Sequence, residues 1–205
     1  MSSRSVVVSD TDILGHIIKG EIFDVLIPHV IEEIYITPKV EYELQTNGYH
    51  YQVFHQQERS NRIKLTKNSW ASLSIEARQE VNKVKARMRA ILDPGELDCY
   101  AYSVGMGIDA IISDDADARI KITDDSDRKK LVMNFAQLLL LGVKMDKFNH
   151  ETAKAHFDQV IERNKLSRFS SFSKQIQFFD QYTSTHPWTK RMLSARTNEL
   201  EAPPE

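Results

Sequence analysis

Short apolar strands followed by helices recur along this 205-residue chain, and the alternation limits what it can fold into. Val6-Val7-Val8, Ile34-Tyr35-Ile36 and Ala110-Ile111-Ile112 are each bounded by polar residues and each precede a helical pattern. Repeated β–α steps of this kind predict parallel strands with helices on both faces. We therefore expect an α/β fold, a three-layer sandwich around a central parallel sheet.

The spacing of apolar residues predicts the remaining elements. Helices are expected over 75–92, 94–104, 136–142 and 151–163, with a short last strand over 131–135. Beyond about residue 164 the composition changes to Ser, Phe, Gln and Thr. We expect one domain over residues 1–164 and a helical C-terminal extension over 165–205 that ends in a disordered tail.

Charge is segregated along the chain although its net value is only -2. Residues 59–90 carry nine bases and two acids, and residues 93–127 carry ten acids and two bases. We expect residues 59–90 to be a basic helical insertion. Blocks of one sign are often solvated faces, so these counts alone leave both a plain surface and a nucleic-acid contact open.

The apolar stretches and the single cysteine exclude several classes of protein. The longest apolar stretch, residues 131–143, is interrupted by Asn134 and Gln137 and is too short to cross a bilayer. The first residues lack the apolar region and cleavage site of a secretory signal, so we expect a cytoplasmic protein with no membrane partner. Cys99 cannot form an internal disulfide and is expected to be a small buried side chain.

Acidic residues occupy positions at which parallel strands end. Asp10 follows the first strand and Asp114-Asp115 follow a later one, so these acids are expected at the same edge of the sheet, where such folds bind ligands. Glu43 lies in the helix after the second strand, and Glu96 begins the helix that leads to Asp114. Converging carboxylates normally bind a cation or share a proton, and oxygen ligands without His or Cys suit Mg²⁺ or Mn²⁺.

Each acid also has an ordinary structural alternative. Asp10 can cap the first helix, and Glu96 can complete a capping box with Asp93. Glu43 can be a solvated helix residue, and the segment 114–117 can cap a helix or form an Asx turn. Only the joint placement of the acids favours a metal site over these roles.

In this order, the motifs resemble those of the PIN-domain ribonucleases. The matching segments are Val6-Val7-Val8-Ser9-Asp10-Thr11, Pro38-Lys39-Val40-Glu41-Tyr42-Glu43-Leu44, Leu92-Asp93-Pro94-Gly95-Glu96 and Ile111-Ile112-Ser113-Asp114-Asp115-Ala116-Asp117-Ala118-Arg119. The resemblance covers about residues 5–160. It implies a Rossmann-like, PIN-like sandwich and a ribonuclease that uses Mg²⁺ or Mn²⁺ to cut RNA. Many members of the family are VapC-type toxins, which implies an antitoxin as a partner.

The resemblance also implies the site residues. By position, the first three family acids correspond to Asp10, Glu43 and Glu96. The fourth is ambiguous, because a Ser/Thr-x-Asp pattern selects Ser113 and Asp115 whereas the Asp-Asp form of the motif equally selects Asp114. Asp98 and Asp117 are further candidate metal ligands.

An acidic pocket requires basic residues nearby if it is to attract RNA. The expected backbone contacts are Arg78, Lys83, Lys85, Arg87, Arg89, Arg119 and Lys129. Two groups of aromatic residues have alternative interpretations. Tyr49, Tyr51, Phe54 and Trp70 are candidates for base stacking or for core packing. Phe169, Phe172, Phe178, Phe179 and Trp188 are candidates for a surface that docks an antitoxin or the second copy of a homodimer, or for intramolecular packing.

Two other functions compete with the ribonuclease. Asp10-Thr11-Asp12 after a strand imitates the nucleophile motif of haloacid-dehalogenase-like phosphatases, with Asp114-Asp115 as its metal motif. That hypothesis leaves Glu43 and Glu96 without a role. The other alternative is a non-catalytic RNA-binding PIN module.

Overall fold

A five-stranded, fully parallel sheet forms the centre of the computed structural model, which describes residues 6–59, 64–67, 70–167 and 169–201. The strands are β1 (Val6–Ser9), β2 (Glu33–Ile36), β3 (Lys64–Lys67), β4 (Ala110–Ile112) and β5 (Leu131–Met133). Their order across the sheet is β3-β2-β1-β4-β5. After β1, the chain therefore adds β2 and β3 on one side of it and then crosses to the other side to form β4 and β5.

Helices connect the strands and flank the sheet. They are α1 (Thr11–Lys19), α2 (Phe23–Val30), α3 (Pro38–Thr46), α4 (Gly48–Arg59), α5 (Ile75–Met88), α6 (Pro94–Gly105), α7 (Ala116–Asp125), α8 (Phe135–Lys144), α9 (His150–Asn164), α10 (Phe172–Phe178) and α11 (Pro187–Glu201). A 3₁₀ turn (Trp70–Ser72) precedes α5, and a π-helical turn (Phe179–Thr183) follows α10. Helices α1, α2, α8 and α9 pack together, while α6 packs on β1, β4 and α5. No helix in the described ranges is both long and apolar enough to span a bilayer.

The α/β sandwich predicted from the sequence is confirmed. The expectation that residues 59–90 form a purely helical insertion is wrong, because β3 lies within them and pairs with β2. The sequence of this strand, Lys64-Leu65-Thr66-Lys67, has a base at each end, which hides the strand pattern but is typical of an exposed sheet edge. The sequence pattern also missed α2, which contains Pro28, and the polar helix α4.

The apolar core continues from the sheet into the C-terminal extension. Val7, Val8 and the whole of β4 are buried, as expected of parallel strands covered on both faces. Phe172, Phe179 and Trp188 belong to the same buried cluster.

The C-terminal extension packs on the domain through these aromatics. Of the two alternatives for Phe169, Phe172, Phe178, Phe179 and Trp188, intramolecular packing is present, since the first and third are half-buried and the others are buried. A docking role for the half-buried rings stays a prediction. The division of the chain at residue 164 stays a prediction, and the predicted disordered tail lies outside the described residues after 201.

The extension runs along the edge strand β5. Its Gln175 accepts a hydrogen bond from Asn134, just after β5, and its Arg191 donates to Asp109, just before β4. The Leu131 amide donates to the Asp109 carbonyl oxygen, so this second attachment lies at the start of both strands. The extension is thus fixed at both ends of the outer strand.

Helices α5 and α6 approach each other closely at Gly105. A Cβ atom at this position would lie 2.7 Å from the carbonyl oxygen of Ala77 and 2.7 Å from Cγ2 of Val81. We expect Gly105→Ala to lower the free energy of unfolding by about 1–3 kcal/mol, because the two helices must separate. Urea unfolding would measure the change. Gly48→Ala is the matched control, since a Cβ there meets nothing within 4 Å; equal losses in the two variants would contradict the packing argument.

Candidate active site

The carboxyl ends of β1 and β4 bring Asp10 and Ser113 together. These strands are neighbours at the point where the chain switches sides of the sheet, which is where open α/β sheets bind ligands. The Asp10 amide donates to the Ile112 carbonyl oxygen at 3.0 Å, which continues the strand pairing to the site. The Ser113 hydroxyl donates to Asp10 Oδ2 at 3.1 Å. The predicted convergence of these two residues is therefore present.

Thr11 joins the first two carboxylates. Its amide donates to Asp10 Oδ1 at 2.7 Å, and its hydroxyl donates to Glu43 Oε2 at 2.5 Å. Lys39 lies one turn before Glu43 on α3, with Nζ 3.1 Å from Oε1. Thr11 was not among the predicted site residues, although its position directly after a strand-end acid could have indicated a place in the site.

Burial and like charge keep protons on this cluster near neutral pH. Asp10 is only 7% exposed, and burial raises its pKa to about 6, although the Thr11 amide and the Ser113 hydroxyl oppose the change. Burial, followed by the charges of Asp115 and Asp10, raises the pKa of Glu96 to about 7. Glu96 therefore lies within electrostatic reach of both Asp115 and Asp10. Such a cluster is stabilised by a bound cation or by retained protons.

Gly95 leaves open the space between Asp10 and Glu43. A Cβ atom at this position would lie 3.4 Å from Glu43 Oε2 and 3.5 Å from Asp10 Oδ1, so any side chain would enter the hollow between the carboxylates. In sequence analysis, Gly95 was only part of a helix start, and its role is visible only in three dimensions.

The donor set fits a hard cation held partly through water. All four acids offer oxygen, the ligand type that Mg²⁺ and Mn²⁺ prefer, and the hollow at Gly95 lies between two of them, Asp10 and Glu43. Among the described residues, no three His, Cys, Asp or Glu side chains are already placed to hold one ion directly. Mg²⁺ normally keeps several waters, so a set of this kind is compatible with it.

Asp114 and Asp115 are adjacent in sequence but have different surroundings. Asp114 Oδ1 accepts the Phe135 amide at 2.9 Å, and Oδ2 lies 2.6 Å from His16 Nδ1. Burial disfavours the protonated His16 ring, but the hydrogen bond and the charge of Asp114 outweigh it and raise the His16 pKa. Both oxygens of Asp114 are therefore engaged in joining α1 to the start of α8.

Asp115 instead faces Glu96 and begins α7. Its Oδ1 accepts the Ala118 amide at 2.6 Å, while its own amide donates to the Ser113 hydroxyl at 3.2 Å. Its charge contributes to the raised pKa of Glu96. These contacts favour Asp115 over Asp114 as the fourth acid of the site.

The other candidate ligands have different positions. Asp98 forms an ion pair with Lys85 of α5, and Asp117 is exposed in the first turn of α7. Glu96 also accepts the Asp93 amide at 3.2 Å, so the capping-box alternative is present together with the site.

Four of the seven bases predicted to contact RNA have partners within the chain. The pairs are Arg78 with the carbonyl oxygens of Trp70 and Ala71, Lys83 with Glu80, Lys85 with Asp98, and Arg87 with Asp125. Arg89 lines a groove beside the start of α6, Arg119 lies over the Phe178 ring, and Lys129 is exposed. The basic helix is thus partly engaged in holding the fold together.

The aromatic candidates also differ in exposure. Tyr49 is exposed, Tyr51 is half-buried against His55, and Trp70 is exposed beside the Arg78 guanidinium. The side chain of Phe54 lies outside the described part of the chain. Cys99 is buried as expected, and its thiol donates to the Ser9 carbonyl oxygen at 3.3 Å.

Comparison with known proteins gives one match that covers most of the chain. Residues 6–164 match a family model described as a PIN domain. No curated protein and no solved structure gives a significant match. The matched region contains β1 through α9 and every candidate acid.

The raised pKa of Asp10 predicts how stability depends on pH without a cation. Between the ordinary pKa of 3.8 and about 6, the folded state holds a proton that the unfolded state has released, so stability falls as pH rises through this range. We expect Asp10→Asn to lack this decrease in stability. At pH 8, its free energy of unfolding should exceed that of the parent by about 2–3 kcal/mol.

Urea unfolding in EDTA between pH 4.5 and pH 8 would measure the difference. Asp127→Asn is the control, because Asp127 is an exposed acid beyond the end of α7, whereas the charge of Asp12 itself raises the Asp10 pKa. The interpretation fails if Asp10→Asn and Asp127→Asn have the same pH dependence.

Proposed function

Because the chain belongs to the PIN-domain family, whose members are generally nucleases that hydrolyse phosphodiester bonds, we propose that it is a divalent-metal-dependent endoribonuclease. The observation that supports this most is the coupled carboxylate cluster at the ends of β1 and β4, in which Asp10 and Glu96 have raised pKa values. A purely structural set of helix caps has no need to bury acids against one another.

The proposed ligands of Mg²⁺ or Mn²⁺ are Asp10, Glu43, Glu96 and Asp115, directly or through water. When bound, such an ion supplies a water of lowered pKa and neutralises charge on the scissile phosphate. Asp10 is the central residue, since it hydrogen-bonds Thr11 and Ser113 and interacts electrostatically with Glu43 and Glu96.

Neighbouring hydroxyl groups orient these acids. Ser113 donates to Asp10 Oδ2, and Thr11 donates to Glu43 Oε2. The second oxygen of Asp10 accepts the Thr11 amide, and the second oxygen of Glu43 lies beside the Lys39 ammonium group. Glu96 has a pKa of about 7, near the value at which a carboxyl group exchanges protons most effectively at neutral pH. We assign Glu96 as the acid that holds a proton in the cation-free site.

A groove beside the cluster provides basic residues for RNA. It has a volume of about 490 Å³ and is lined by Lys39, Lys85 and Arg89, and by Asp93 and Asp98 at the start of α6, of which Asp98 is paired with Lys85. Lys39 is also the residue paired with Glu43, so the groove lies next to the acids. Cations at this position would offset the repulsion between the acidic cluster and the RNA backbone.

The finer biological role is also a proposal. The VapC-type resemblance supports a cytoplasmic toxin restrained by an antitoxin that places a basic side chain among the carboxylates. Membership of the PIN family removes the basis for the phosphatase alternative. A non-catalytic RNA-binding module would have the same fold but would leave RNA uncut.

Replacement of Asp10 tests catalysis. With Mn²⁺ and a panel of labelled single-stranded RNAs, we expect Asp10→Asn to reduce the cleavage rate by about a hundredfold or more, because the central oxygen ligand is lost. EDTA should abolish cleavage by the parent. Asp12→Asn is the matched control and should retain activity. Parental activity in Asp10→Asn would show that the site is wrong, and failure of the parent to cut any RNA would favour the binding module.

Substitutions of the two adjacent acids at the end of β4 should have different effects. Asp114→Asn should lower the free energy of unfolding by about 1–3 kcal/mol, since it weakens buried bonds to His16 and Phe135. Asp115→Asn should keep stability, because Asn caps helices as well as Asp does. It should nevertheless lose most Mn²⁺-dependent cleavage and the rise in melting temperature that Mn²⁺ produces. The reverse pattern would make Asp114 the fourth ligand.

A further inference from the structure

A second groove lies between α7 and the C-terminal extension, away from the basic groove described above. We call it the α7 groove; it has a volume of about 640 Å³ and its floor is Leu131 and Val132 of β5. One wall is α7 from Arg119 to Asp124, and the other is Phe178 with the π-helical turn and the start of α11. The ribonuclease chemistry proposed above gives this groove no role.

The α7 groove leads away from the carboxylate cluster. Arg119 lies one helical turn after Asp115 and lines the groove. On its other side, Arg119 also lines a smaller hollow of about 390 Å³ that contains Asp114 and Asn134. An RNA strand that runs from the carboxylate cluster past Arg119 would therefore enter the α7 groove. The part of α7 that lines the groove, from Arg119 to Asp124, is about 8 Å long, so the groove is longer than a single phosphate group.

One wall of the groove presents two aromatic rings in contact, beside a guanidinium group. The Arg119 guanidinium lies 5.1 Å from the centre of the Phe178 ring, and the Tyr182 ring lies 4.9 Å from the Phe178 ring. Tyr182 is 54% exposed, and Ile120 on the opposite wall is 58% exposed. A supported, exposed aromatic ring is a surface on which an unpaired base stacks.

The charges of the groove suit an anionic backbone. Arg119 lies at the end nearest the carboxylates, and Arg128 is exposed just beyond the other end of α7. Among the described residues that line the groove, Asp124 is the single carboxylate. The Lys130 ammonium group is engaged with the carbonyl oxygens of Ser103 and Ile108, so the two arginines are the cations available to a ligand.

We propose that the α7 groove binds the single-stranded RNA on one side of the scissile phosphate, with a base stacked on Tyr182 and backbone phosphates near Arg119 and Arg128. This inference rests on the proposed ribonuclease function, because its ligand is the RNA substrate of that function. It gives the C-terminal extension the role of one wall of the RNA path.

Binding measurements test the proposal independently of cleavage. The full chain with Asp10→Asn, in EDTA, is titrated against a fluorescein-labelled single-stranded RNA and followed by anisotropy. Tyr182→Ala should raise Kd about five- to a hundredfold, and Tyr182→Phe, which keeps the ring, should bind like the parent. Arg128→Gln should weaken binding and reduce the slope of log Kd against log salt by about 0.7. Lys154→Gln, an exposed lysine on α9, is the charge control and should change neither.

The outcomes separate this inference from the function on which it rests. If the parent cuts RNA and Asp10→Asn binds it, but Tyr182→Ala and Arg128→Gln bind as tightly as Lys154→Gln, the groove assignment is wrong and the ribonuclease stands. If the same variants lose a protein partner instead of RNA, the groove is a protein-docking site and the inference is again wrong. If the parent neither cuts nor binds RNA, both proposals fail.

Discussion

Repulsion between the buried Asp10 and the half-buried acids around it is the constraint on which the organisation of this protein depends. Asp10 is nearly excluded from solvent. The charge of Glu43 raises the pKa of Asp10, and the charge of Asp10 raises the pKa of Glu96. Folding this cluster costs free energy that apolar packing must offset, because each ionised acid disfavours ionisation of the next. The structure limits the cost with hydroxyl and amide donors from Thr11 and Ser113, not with a buried base.

The fold places these acids by topology, not by proximity in sequence. The switch from β1 to β4 brings residues about a hundred positions apart to one edge, and α6 brings Glu96 and Gly95 to the same edge from a third direction. Helix α5 then fixes α6 through the pair between Lys85 and Asp98 and through the close approach at Gly105. Helix α5 therefore supports the site indirectly, because it holds α6, the helix that carries Glu96.

Sequence patterns predicted the parts of this arrangement that depend on periodicity. The buried strands and most helices follow from apolar spacing, and the convergence of Asp10 with Ser113 follows from the rule for parallel strand ends. The pattern could not locate β3, because its lysines obscure the apolar alternation, or separate Asp114 from Asp115, because residues next to each other can point to different neighbours. His16 and Gly95 gave no signal, since their roles depend on contacts formed only after folding. The aromatics of the extension were left with two alternatives, docking or intramolecular packing, because composition does not tell which side of a short helix meets the domain.

The attachment of the extension along β5 has a consequence for assembly. A parallel sheet ends in two strands whose outer backbone groups can pair with another chain, and a covered edge cannot accept such a strand. Here the extension is attached beside β5 through Asn134 at one end and Asp109 at the other, so a strand added on that side would have to displace these contacts. The opposite edge strand, β3, pairs with β2 along all of its residues, and its outer side has no strand partner among the described residues. Growth of the sheet is therefore restrained at β5, and β3 is the edge left for self-association through strand pairing.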